Sequence, residues 1–91
     1  MSNKHATVLR AIFHDPISAN IHFREVESLL HNLGAEILPG HGARFRVVLN
    51  RAEGTLHHPH GGTLTRQDVK SLREFLVHAG VSPSSYENQA R

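Results

Sequence analysis

Between Gly40 and Gly61 the chain reads GHGARFRVVLNRAEGTLHHPHG, and no other stretch restricts the fold as strongly. Phe45, Val47 and Leu49 alternate with Arg44, Arg46 and Val48. Successive strand side chains point to opposite faces, so this run reads as a strand with one apolar face and a second face carrying two guanidinium groups. A five-residue connection, Asn50-Arg51-Ala52-Glu53-Gly54, has an Asn and a Gly suited to positive φ and leads into a second extended run, Thr55 to His58. Pro59 lacks an N–H and cannot continue a central ladder. The histidines of His57-His58-Pro59-His60-Gly61-Gly62 are therefore expected at a strand end or in a loop, within reach of solvent and ligand. If Leu56 shares the core face with Phe45 and Val47, then His57 stands with Arg44 and Arg46 on the other face.

The remaining elements are helical or short. Val8, Leu9, Ile12 and Phe13 give Lys4 to Phe13 an apolar stripe, and the helix ends before His14-Asp15-Pro16. Asn20 is the expected N-cap of a helix over Ile21 to Leu33, with Val26, Leu29, Leu30 and Leu33 on its buried face and Gly34 beyond its end. Ala35 to Leu38 reads as a first strand. Thr65 with Asp68 three residues on resembles a capping box opening a helix over Arg66 to Ala79, with Val69, Leu72, Phe75, Leu76 and Ala79 on one face and Gly80 closing it. Val81 to Arg91 reads as a frayed tail, with residues 84–91 flexible. Three consecutive strands joined by tight turns make an antiparallel meander. The expected architecture is thus α+β: a two-layer domain over residues 1–83, in the order α-α-β-β-β-α, with helices on one sheet face and the other open.

Ninety-one residues leave no room for a second domain, and without cysteine the chain can form neither a disulfide framework nor a thiolate metal site. No stretch approaches the roughly 20 apolar residues of a bilayer span, and Met1 to Arg10 lacks the apolar core of a signal peptide. A soluble, cytoplasmic protein without membrane contact is expected. The formal charge is +2, but nine histidines can add positive charge as the pH falls through about 6.5, which makes an anionic partner plausible.

The order helix, strand, strand, strand, helix is joined here by a Leu33-Gly34-Ala35-Glu36 helix exit, by Gly42-Ala43-Arg44-Phe45 before the long strand, by a His57-His58-Pro59-His60 strand end and by a final helix from Val69 to Gly80. From Ile21 to Pro83 this resembles the HicA family of toxin–antitoxin toxins. The resemblance implies a fold like a miniature double-stranded-RNA-binding domain, ribonuclease activity on messenger RNA, no cofactor, and silencing by a HicB-like antitoxin. It also exposes a departure. The family's catalytic histidine ends a Gly-Ser-His turn, and Arg44 holds that position here. A guanidinium stays protonated at physiological pH and cannot be a general base.

Metal-free RNA cleavage needs a base for the 2′-OH proton, an acid for the leaving 5′-oxygen, and cations for the charge that grows on the phosphoryl oxygens. His57, His60 and His41 are the candidate acid–base groups, and Arg44 and Arg46 the candidate phosphate contacts. The same residues have plainer uses: His57 and His60 can bond turn carbonyls, His41 can simply lie exposed in its glycine turn, and the arginines can solvate a sheet face. Two further classes remain open. His57 and His60, with His58 or His41, could ligate a metal, though no acidic residue lies in the cluster. Alternatively, the open face binds RNA or an antitoxin without cutting.

Overall fold

The alternation in Arg44–Leu49 organises the structure as it does the sequence. The computed structural model describes residues 4–17 and 20–89. Its elements are α1 (Lys4–Ile12), α2 (Phe23–Asn32), β1 (Glu36–Pro39), β2 (Arg44–Leu49), β3 (Ala52–His57), a 3-10 turn (His60–Gly62), α3 (Arg66–His78) and α4 (Pro83–Gln89). The strands form one antiparallel sheet in the order β1-β2-β3. Phe45, Val47, Leu49 and Leu56 are buried on the helical side, while Arg44, Arg46 and His57 are exposed on the opposite face. The α+β fold with its three-stranded sheet and α-α-β-β-β-α order is the architecture expected from the sequence.

A single apolar cluster joins the layers. Leu9 and Ile12 of α1, Val26, Leu29 and Leu30 of α2, and Val69, Leu72, Phe75 and Leu76 of α3 meet the inward residues of β2 and β3. Capping fixes where the helices start and stop. Thr65 Oγ1 accepts from the Asp68 N–H (3.1 Å) and the Asp68 carboxylate accepts from the Thr65 N–H (3.0 Å), the reciprocal pair read from the sequence. Gly34 and Gly80, at φ +88° and +77°, take the left-handed position after α2 and α3. In each case the next N–H turns back into the last turn, Ala35 to Leu30 and Val81 to Leu76. Among the described residues no helix is long and apolar enough to cross a membrane.

Three local expectations need correction. Asn20 is not the cap of α2: Ile21 is buried and its carbonyl accepts from the Leu64 N–H (2.9 Å), while His22 bridges to Thr63. This short extended pairing delays the helix to Phe23, and the Glu25 carboxylate accepts from the His22 N–H instead. The β2–β3 connection is two residues rather than five. Asn50 and Arg51 both have positive φ, +50° and +71°, the pattern of a type I′ turn whose twist matches the strands it joins. Finally, the segment read as a frayed tail holds α4. Val81 is buried, Ser82 and Ser85 exchange side-chain to backbone hydrogen bonds at its start, and Tyr86 donates to Asn32 Oδ1 at 2.8 Å while packing against the core. The composition of the segment is polar, but one Val and one Tyr suffice to dock it.

Gly54, read as part of the turn, is instead a strand residue facing the core opposite Val47. An added Cβ would sit 2.8 Å from Cδ1 of the buried Phe75 ring, so the ring or the strand would have to shift. Gly54→Ala is therefore expected to destabilise the fold by about 1–3 kcal/mol, despite the usual preference for Ala over Gly in a strand. Urea unfolding should show a lower midpoint with an unchanged slope.

Candidate functional site

The side of the sheet away from the helices carries three cross-strand rows. Arg44 lies directly opposite His57; Leu38, Arg46 and Thr55 form the middle row; Glu36, Val48 and Glu53 form the third. The β2–β3 ladder is phased by the His58 N–H, which donates to the Ala43 carbonyl at 2.7 Å. Bonded and non-bonded pairs alternate along such a ladder. Arg44 and His57 therefore fall at a non-bonded pair, where the strands approach most closely and facing side chains come nearest. Both are exposed, so a guanidinium and an imidazole are presented side by side to solvent.

Arg46 is differently placed. Its Nη2 donates to Glu53 Oε2 in an ion pair that is half exposed on both sides. An exposed pair of this kind contributes less than about 1 kcal/mol, but it engages the guanidinium and sets a carboxylate on the face. With Glu36 and Glu53 at one end and Arg44 and His57 at the other, the face is polarised along the strands rather than uniformly basic.

The histidines separate. His41 lies exposed in the turn between β1 and β2, and its carbonyl accepts from the Arg44 N–H at 3.1 Å, so it leads directly into the site strand. His57 is on the open face. His58 points to the other side, its ring centroid 4.6 Å from that of Phe45 and 4.8 Å from that of Phe23. There it extends an aromatic cluster and is turned away from His57. The His60 backbone begins the 3-10 turn, and its side chain lies outside the described residues. Among the described residues no three His, Asp or Glu side chains converge as a metal site requires. Elsewhere, His5 Nε2 is 2.9 Å from Ser28 Oγ, tying α1 to α2, and His14 Nδ1 donates to the Pro16 carbonyl at 2.8 Å.

The structure thus brings Arg44 and His57 together and puts Arg46 beside them but ion-paired. Glu53 was not expected at the site. Its signal was present in the alternation Glu53, Thr55, His57, and was hidden by reading Asn50 to Gly54 as loop. No family model matches this chain, and comparison with curated proteins and with solved structures finds no match either.

Proposed function

We propose that the open sheet face binds the sugar–phosphate backbone of RNA, and that the domain is a HicA-like toxin which cleaves messenger RNA without a metal and is silenced by a HicB-like antitoxin covering this face. The observation that carries the reading is the cross-strand pair Arg44–His57, exposed on an uncovered sheet. Arg44 binds the phosphoryl oxygens and offsets the charge that grows there as a neighbouring 2′-oxygen attacks phosphorus. His57 takes the proton from that 2′-OH. The bond from phosphorus to the 5′-oxygen breaks, and the leaving oxygen takes a proton from a second imidazole, for which His60 and His41 are the candidates. The products are a 2′,3′-cyclic phosphate and a free 5′-OH.

A second reading has its own support. Glu36 and Glu53 share the face, and Arg46 is engaged by Glu53, which suits a surface that docks RNA or an antitoxin segment by charge complementarity without cutting. One experiment separates the two: incubation of the purified protein with RNA in EDTA, with association followed over a salt series. The proposed toxin cleaves in chelator, whereas the binding module associates without cleaving. In either case Arg44→Ala is expected to weaken association and reduce the slope of log K against log salt by about one. Salt-independent association, or none, would remove both readings.

A further inference from the structure

The two edges of the sheet are not alike. Because the His58 N–H bonds the Ala43 carbonyl, Phe45:Leu56 and Val47:Gly54 are the bonded pairs of the β2–β3 ladder. Glu53, Thr55 and His57 consequently turn their N–H and C=O groups outward, along the free edge of β3. The same phase on the other side leaves Ile37 and Pro39 outward on β1, and Pro39 has no N–H to offer. A four-residue strand ending in proline is a blunted edge; β3 has six residues in unbroken register, without proline, lysine or bulge. Among the described residues no hydrogen bond occupies the outward groups of β3. Two adjoining clefts run along this edge between β3 and α3, sharing Thr55, Leu56 and Ser71 in their walls, so the edge is open from below as well as above.

The charge pattern selects the occupant. Along β3 the acidic Glu53 and the basic-capable His57 flank Thr55 symmetrically, with Arg46 and Arg44 behind them on β2. We propose that β3 pairs antiparallel with β3 of a second copy about a two-fold axis through Thr55, doubling the three-stranded sheet. Thr55 then faces the partner's Thr55, and Glu53 faces the partner's His57 on each side of the axis. All three are bonded pairs that use the outward groups. The polarised faces meet acidic end to basic end. The inward Leu56 meets the partner's Gly54, which has no side chain to obstruct it. This pairing stands independently of RNA binding, and it places the partner's Glu53 beside each His57.

The test is the mass of the full chain by light scattering over a concentration series from micromolar to near-millimolar, with amide exchange measured in parallel. A monomer–dimer equilibrium is expected, with the Thr55 amide protected only where dimer is present. Thr55→Pro removes an outward N–H and should abolish the dimer. His57→Glu should weaken it by about tenfold, since it sets two carboxylates opposite one another twice per dimer. Glu53→Lys should weaken it by removing the acidic member of each pair, and the double exchange, which again sets opposite charges face to face, should restore it. The charge exchanges decide the matter alone if Thr55→Pro does not fold. A monomer at every concentration, a dimer that survives folded Thr55→Pro, or a double exchange no stronger than the single variants would overturn the proposal.

Discussion

His57→Ala is expected to lower the rate of RNA cleavage by about 10²–10⁴-fold while leaving RNA association nearly unchanged. A positioned general base is worth that much because it carries the proton in the transition state only. An imidazole lost from the rim of a phosphate site removes little ground-state binding. Arg44→Ala should behave in the opposite sense, with a loss dominated by affinity and its salt dependence. The contrast rests on position: the two residues face each other across β2 and β3, yet one is a permanent cation and the other can exchange a proton. Single-turnover cleavage at nanomolar protein separates the rate from binding and keeps copies apart. Equal loss of association in both variants would mean that His57 is a binding residue and that proton transfer lies elsewhere.

The second large effect is on stability. Leu9→Ala should destabilise the whole domain by about 2–5 kcal/mol, a large share of the roughly 5–15 kcal/mol available to a small protein. Leu9 is 0% exposed within the common apolar cluster, and α1 packs against α2, α3 and α4. Arg73 also ties the end of α1 to α3, donating from Nε to the Ile12 carbonyl (2.9 Å) and from Nη2 to the His14 carbonyl (2.8 Å). A nine-residue helix is marginal alone, so its contacts with its neighbours are cooperative. Thermal unfolding should remain a single transition with the midpoint lowered by about 10–25 °C. A separate early transition confined to α1 would show that the helix is an independent flap.

Strong periodicity was what made the fold legible. The alternation in β2 and the stripes of α2 and α3 each have several apolar residues on one face, and burial follows them. The failures came where one or two long-range contacts decide the local structure. Asn20 is chemically a better N-cap than His22, but nothing local reports that Ile21 will bond Leu64. Gly54 reads as a turn residue until Phe75, far away in sequence, is seen to need the space above it. At the site, the face of Arg44, Arg46 and His57 followed from register alone. The Arg46–Glu53 ion pair did not, because it depends on the length of the turn between them, which Asn50 and Arg51 shorten to two residues.

The contact between α1 and α4 has an architectural consequence. The first and last helices pack against each other and share the apolar cluster, on the helical side and hence opposite Arg44 and His57. Both end elements are thus used to close the helical layer, and neither lies on the open sheet. The Arg44–His57 face is left uncovered by either helix.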